Sequence, residues 1–300
     1  MHQLYTWIFE PGFFSSPQVR VAATIGGVTA MVSAVVGVFT VIRGQSFGGH
    51  ALGDVSAAGG SGAVLAGMSP LAGFVGLGVF GAGVMDMIGA RRGRGRDLAT
   101  GIVLGAAIGL SALFLYLDTT RGATTGTTQQ ILFGSIFTVT GSTIPAVVIL
   151  GGISLGCIAV AYRPLLLITV SSDIAAARGV RVRLVGLLYV LALALSVGLS
   201  SMSVGAILST ALLIGPAAAA LRLTRTVVRA LASACLIGVG ATWLGVLLSY
   251  DSYYWGSGRQ GLPVSFFIVA VVFVAYLVCG LQTAWMARYR REEARCSRLS

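Results

Sequence analysis

The chain has 300 residues, of which 56% are hydrophobic and only 10% are charged. A soluble surface carries roughly 25% charged residues, so this composition excludes an ordinary soluble domain. The formal net charge of +11 comes from arginine alone, because the sequence contains no lysine. No base-reading motif accompanies this charge, and we therefore predict no nucleic-acid partner. The apolar surface is instead expected to face membrane lipid.

Hydrophobic stretches of about 20 residues, the length that crosses a bilayer core, recur with only short gaps between them. They predict one all-α transmembrane domain over residues 1–300, a polytopic helical bundle of about nine spans, with eight as the alternative. Residues 1–20 are expected to form an external or interfacial lead, and residues 285–300 a basic cytoplasmic tail. The predicted spans cover residues 21–42, 52–68, 71–90, 98–117, 144–162, 184–202, 204–221, 230–249 and 264–284.

The arginines are distributed unequally between the predicted loops. Seventeen lie on one side of the membrane, and only Arg20, Arg121 and Arg259 lie on the other. The positive-inside rule makes the arginine-rich side cytoplasmic, which places the N-terminus outside and the C-terminus in the cytoplasm. Both placements require an odd number of spans, which favours nine over eight.

The residues that catalysis requires are scarce in this chain. It has two histidines, His2 and His50, and no set of nucleophile and base can be assembled with them. A GxxxxGK[ST] phosphate-binding loop is excluded because lysine is absent. The four cysteines show no CxxC spacing, so neither a disulfide framework nor a zinc knuckle is predicted. We expect no enzyme, and the energy for transport must come from a partner protein or an ion gradient.

His50 and Asp54 form the sharpest candidate site. Their i, i+4 spacing places an imidazole and a carboxylate on one face at the start of the second span. Both groups bind divalent metals, and ionisable groups at membrane depth indicate a functional site because their burial is costly. The alternative is an interfacial pair that solvates the start of a helix. Two ligands are too few for a closed zinc site, but a two-fold dimer with this face at its axis would double the set.

A second candidate segment lies in the longest polar stretch on the predicted cytoplasmic side. Ser171, Ser172 and Asp173 precede a run of alanines, and Gly179 follows it. Serine or aspartate near the start of a helix satisfies free N–H groups, and glycine suits the left-handed turn that ends one. The pattern predicts a short capped helix between two spans, which is either a connector or a docking element for a cytoplasmic partner.

Four segments of the chain carry motifs in a characteristic order. The first reads RGQSFGGHALGDVSAAGGSG, the second is the capped segment that ends at Gly179, and the third reads ALLIGPAAAALRL. They cover residues 43–62, 171–179 and 211–223, and the fourth covers residues 262–269 at the entry into the last span. In order and spacing they resemble the permease subunits of the zinc/manganese/iron-type metal-ion ABC transporters. The resemblance extends over nearly the whole chain.

The second segment is similar to that family's cytoplasmic coupling segment. Asp173, Ala175 and Gly179 fall at its usual Glu, Ala and Gly positions, while Ser171 replaces its usual first Asp. The resemblance implies that these four residues belong to the segment on which the transporter's ATPase docks.

The first segment is similar to the family's metal-binding motif but departs from it at the ligands. The family has Asp or His first and His second, whereas this chain has His50 first and Asp54 second. The ligand types survive in inverted order, and the resemblance implies His50 and Asp54 as metal ligands.

The resemblance also implies partners and a location. The family works as a homodimer of permeases with two cytoplasmic ABC ATPases and an extracytoplasmic metal-binding protein, in the bacterial cell membrane. No permanently bound cofactor is expected, and the transported metal is predicted to be zinc first, then manganese or iron. The alternatives are an ATPase-independent secondary transporter or channel, and an ABC permease for another small solute.

Overall fold

The computed structural model describes residues 16–89, 96–120, 130–134, 136–253 and 261–296, and within these ranges the fold is all-α, as predicted, without a strand. A 3-10 turn at Gly141–Thr143 leads into the fifth long helix. In chain order the helices are α1 (Pro17–Ile42), α2 (Ser46–Leu65), α3 (Pro70–Gly89), α4 (Arg96–Thr120), α5 (Ile144–Val170), α6 (Ser172–Ala177), α7 (Val182–Val204), α8 (Ala206–Leu223), α9 (Val227–Ser252) and α10 (Val264–Cys296).

Eight of these helices, all except α2 and the short α6, are long and apolar enough to cross a membrane. The protein is therefore a multi-pass membrane protein, as predicted. Helix α10 continues to Cys296, so the predicted basic tail is helical over most of its length. The first 15 residues of the predicted N-terminal lead lie outside the described residues.

Helix α2 corresponds to the second predicted span, residues 52–68. Its 20 residues are rich in Gly, Ala and Ser, and 12 of them are buried. The helix lies antiparallel to α3, since Gly59 is beside Gly73 and Val55 is beside Gly81. A Cβ at Gly59 would lie only 2.1 Å from the carbonyl oxygen of Gly73, so the two backbones touch there. Small residues allow this approach, and neighbouring helices enclose most of the surface of α2.

Helices α1 and α7 are joined by three buried hydrogen bonds between side chains, here called the α1–α7 ladder. The α7 members are seven residues apart, which is about two helical turns and keeps them on one face. The pairs are Ser203 with Thr29 (3.3 Å), Ser196 with Ser33 (3.3 Å) and Tyr189 with Thr40 (3.0 Å). Because the order of the pairs is reversed between the two helices, α1 and α7 run antiparallel.

Each rung of the ladder is expected to contribute modestly to stability. Ser196→Ala removes the donor to Ser33 and should lower the free energy of unfolding by about 0.6 kcal/mol, the average for hydrogen bonds between membrane helices. Thermal unfolding of the purified protein in detergent measures the change. Ser172→Ala, at an exposed position of α6, is the matched control and should leave the melting temperature unchanged. A loss beyond about 2 kcal/mol would contradict the modest role.

The helix directions bring many arginines together at one end of the bundle, here called the arginine-rich end. Arg43 follows α1, and the antiparallel α7 begins at the same end, next to Arg181. Helix α8 runs antiparallel to α2, with Gly53 beside Ser209 and Gly49 beside Leu213, so α8 finishes at this end too. The predicted orientation of the chain in the membrane depends on this clustering of arginines at one end. The orientation itself stays a prediction.

Candidate metal and docking sites

The structure places His50 and Asp54 on successive turns of α2. The distance from His50 Nε2 to Asp54 Oδ2 is 3.7 Å. Their side chains are 43% and 15% exposed, and the neighbouring Phe47 is 45% exposed. The prediction that the two groups share one face is confirmed. That face is open along the outside of this single chain.

The packing of α2 against α8 fixes the direction in which His50 and Asp54 point. A Cβ at Gly53 would lie 3.2 Å from Ser209 Oγ, and one at Gly49 would lie 2.9 Å from a methyl group of Leu213. Because these glycines have no side chain, the backbone of α2 packs directly against the side chains of α8. The residues that flank them, His50 and Asp54, are thereby held by a rigid helix in an accessible position.

The ligand set supplied by one chain is small. Among the described residues, no group of three or more His, Cys, Asp or Glu side chains is close enough to hold a metal ion. His50 and Asp54 offer one imidazole nitrogen and one carboxylate group, a combination suited to manganese, iron or zinc. A pair of this kind can bind an ion loosely, which suits an ion that must also be released.

The predicted capped helix is confirmed as α6. Ser171 Oγ accepts a hydrogen bond from the N–H of Ile174 at 3.3 Å. At the other end Gly179 has φ +79°, and the N–H of Val180 donates to the carbonyl of Ala175 at 3.0 Å. This is a Schellman termination, which fixes where the helix stops.

Helix α6 has one buried and one accessible side. Ala175 is fully buried against the bundle, whereas Ile174 is 49% exposed. Asp173 lies in the first turn and is exposed, as is Gly179. An exposed isoleucine beside charged groups at the end of a membrane bundle is a surface suited to another protein.

The two candidate sites belong to different parts of the bundle. Helix α6 packs against α5 and α7, whereas α2 packs against α1, α3, α4, α7 and α8. Within the described residues, helix α7 packs against both α2 and α6.

The sequence alone does not single out a cluster at the arginine-rich end that includes Tyr189. This tyrosine is completely buried, and its hydroxyl donates to Thr40 Oγ1 at 3.0 Å. The guanidinium carbon of Arg43 lies 4.8 Å from the centre of the Tyr189 ring. The signal available in the sequence is a tyrosine within an apolar span, because a buried tyrosine hydroxyl needs a partner.

Comparison with known proteins gives consistent matches over nearly the whole chain. Residues 16–280 match the ABC 3 transport family. The chain is 29% identical to the manganese transport system membrane protein MntC of Halalkalibacterium halodurans, over 96% of this chain and 97% of that protein. It is 26% identical to the chelated iron transport system membrane protein YfeD of Yersinia pestis, over 91% and 90%. Among solved structures, PsaBC from Streptococcus pneumoniae in complex with Fab has a similar fold, with a TM-score of 0.75, 24% identity and coverage of 92% and 95%.

Proposed function

Because the chain belongs to the ABC 3 transport family and is a transport permease rather than an enzyme, we propose that it forms the membrane pathway of an importer for a divalent transition metal. In ABC transporters ATP is hydrolysed by separate subunits, and the permease supplies the route for the solute. We propose that the ion passes His50 and Asp54. The observation that carries this assignment is the accessible position of both side chains on the outer face of α2.

A charged pair facing lipid is costly, and ionisable residues in membrane segments almost always face a protein interior or water. In the proposed homodimer, a second copy of the chain covers the α2 face and supplies a second His50 and Asp54. Helix α4 supports close approach of another helix as well. Gly101, Gly105 and Gly109 lie on one of its faces, and apart from the backbone of α4 itself no atom of the described residues lies within 4 Å of a Cβ built on any of them. Small residues of this spacing bring membrane helices together.

The remaining partners follow from the family and from α6. We propose that two ABC ATPases dock at the exposed side of α6, where Ile174 and Asp173 are accessible. An extracytoplasmic metal-binding protein delivers the ion at the opposite end of the bundle. Membrane lipid surrounds the rest of the apolar surface.

Among the metals, we propose manganese first and iron next. Two of the relatives described above carry manganese and iron in their names, and neither name includes zinc. The prediction from the sequence places zinc first, but ligand type does not separate the three metals, because one imidazole and one carboxylate serve all of them.

ATP-dependent uptake into proteoliposomes containing the permease, its ATPase and its binding protein tests this function. Wild type is expected to accumulate Mn²⁺ or Fe²⁺ only when ATP is present. His50→Ala and Asp54→Ala each remove one ligand and should lower the initial rate at least about tenfold, the scale at which the loss of a supporting group already weakens metal sites. Phe47→Leu, on the same exposed face but without a ligand, should transport like wild type.

Other outcomes of this experiment distinguish the alternatives. Uptake that persists without ATP and without the ATPase would identify a secondary transporter or channel. If the permease assembles with its ATPase but imports none of the three metals, the chain would be an ABC permease for another solute. Normal metal uptake by both alanine variants would overturn the assignment of His50 and Asp54.

A further inference from the structure

The contact of Arg43 with Tyr189 joins the two candidate sites through the packed core. Tyr189 lies on α7, which begins shortly after α6, and it is the eighth residue of that helix. Arg43 caps the end of α1, only three residues before α2 begins at Ser46. The aromatic ring therefore stands between the helix that follows the docking segment and the turn that starts the helix with His50.

The turn between α1 and α2 is tightly fixed. Gly44 has φ +64°, the N–H of Gln45 donates to the carbonyl of Thr40 at 2.9 Å, and the N–H of Gly44 donates to that of Val41 at 3.0 Å. This is a second Schellman termination, and it leaves the connection few alternative conformations. A displacement of Arg43 or Thr40 therefore moves the first turn of α2 with it.

Tyr189 holds this turn by two different interactions. Its hydroxyl donates to Thr40 Oγ1, and Thr40 in turn donates to the carbonyl of Val36 at 2.9 Å. Its ring lies under the Arg43 guanidinium at 4.8 Å, a cation–π contact. Nε and Nη1 of Arg43 are buried, so this contact is shielded from water and is stronger than an exposed one.

Apolar packing extends the connection in both directions. One continuous cluster contains residues from the start of α7, from α1 and from α2. Its members include Val185, Tyr189, Phe39 and Leu52, with Val180 packed against it. Val180 follows Gly179 at the end of the docking segment, and Leu52 lies between His50 and Asp54. A methyl group of Thr40 also lies 3.7 Å from the position of a Cβ at Gly49, directly before His50.

We propose that Tyr189 and Arg43 are positioning residues that transmit movement of α6 to the first turns of α2, and so change access to His50 and Asp54. The inference rests on the proposed function, in which an ATPase pulls on α6. Rigid, packed elements move as bodies, so a shift at the start of α7 displaces the α1–α2 turn. The other two hydrogen bonds of the α1–α7 ladder lie farther from α6.

The test uses the complete complex in proteoliposomes and separates coupling from stability. Tyr189→Phe keeps the ring and removes the hydroxyl, whereas Arg43→Met keeps the apolar stem and removes the charge. Both are expected to reduce the number of ions imported per ATP hydrolysed by about fivefold or more, the lower range of energetic coupling between sites. Equilibrium Mn²⁺ binding should stay within about twofold of wild type, since neither side chain is a ligand. Arg43→Lys retains a cation over the ring and should restore most of the ratio.

Ser203→Ala is the matched control, because it also removes one hydrogen bond of the α1–α7 ladder but at the end far from α6. It should lose comparable stability and keep the wild-type ratio of ions to ATP. The proposal would be overturned if the number of ions imported per ATP hydrolysed were the same in Tyr189→Phe, Arg43→Met and Ser203→Ala.

A second readout does not depend on metal import. With the four native cysteines replaced by alanine, Phe47→Cys reports the accessibility of the α2 face to a water-soluble maleimide. Binding of an ATP analogue to the complex should change the labelling rate, and Tyr189→Phe should abolish that change. If the ATP analogue changes the labelling rate and Tyr189→Phe abolishes that change, but no metal is imported, the coupling through Tyr189 is supported and the proposed solute is wrong. If the ATP analogue does not change the labelling rate at residue 47, or if Tyr189→Phe leaves that change intact, the proposed coupling through Tyr189 is wrong.

Discussion

Gly205→Ala is expected to prevent the chain from reaching its folded state. Gly205 joins α7 to α8 with φ +93° and ψ 156°, a backbone conformation that is essentially restricted to glycine. A Cβ at this position would lie 2.4 Å from the backbone nitrogen of Gly134 and 2.4 Å from the carbonyl carbon of Phe133. Gly134 itself has φ +73°, and a Cβ there would lie 2.4 Å from the carbonyl carbon of Val204. Neither backbone can yield to the other without separating the two segments.

The expected cost combines backbone strain of about 1–3 kcal/mol with the overlap, a further 1–3 kcal/mol or more. This sum is comparable with a large part of the stability of a typical domain. The yield of monodisperse protein in detergent and its melting temperature measure the effect. Gly67→Ala is the matched control: Gly67 has φ +67° but open space within 4 Å, so it should lose stability mildly and still fold. If Gly205→Ala gives the same yield as wild type, the close approach of Gly134 to Gly205 is not required for folding.

Replacing residues 171–179 by a Gly/Ser linker of equal length should abolish both binding of the ATPase and ATP-driven uptake. The replacement removes the Ser171 cap, the buried Ala175 and the Gly179 termination, so no rigid helix remains to receive a force. Co-purification with the tagged ATPase and uptake into proteoliposomes measure the two losses. Retention of a stable complex with the ATPase would place the dock elsewhere.

A point substitution separates docking from folding of α6. Ile174→Asp changes an exposed side chain, keeps the helix and its anchor Ala175, and should weaken ATPase binding strongly. Burial of one isoleucine side chain contributes about 1.5–3 kcal/mol, which corresponds to a loss of affinity of about tenfold to more than a hundredfold. Ile174→Leu should bind like wild type. Equal binding by both variants would exclude this face of α6 as the contact.

The fold could be predicted from the sequence because lipid imposes a simple rule on composition. Apolar stretches long enough to cross the bilayer correspond to helices throughout the described chain, and their order was correct. The sequence predicts helix ends less accurately where charged residues and proline suggest a loop. Helix α5 continues through Arg163 and Pro164 to Val170, since membrane helices tolerate proline when neighbours satisfy the freed backbone groups.

The candidate sites were predicted only as far as they are local in sequence. The i, i+4 relation of His50 and Asp54 and the capping of α6 each depend on a few adjacent residues, and both were confirmed as geometry. The contact of Tyr189 with Thr40 joins residues 149 positions apart, and nothing in either local pattern specifies the other. The close approach of Gly134 to Gly205 is likewise visible only when the helices are assembled.

The enclosed position of α2 also constrains how the chain enters the membrane during synthesis. Insertion of a segment depends on its own hydrophobicity, and an aspartate near the centre opposes insertion by about 2.5–3.5 kcal/mol. Helix α2 contains Asp54 and many glycines, but α3 follows after only the short turn at residues 66–69. The two segments can therefore leave the translocation machinery as one hairpin, in which the apolar α3 draws its polar neighbour into the bilayer. Insertion of this polar helix thus depends on the order in which its neighbours are synthesised.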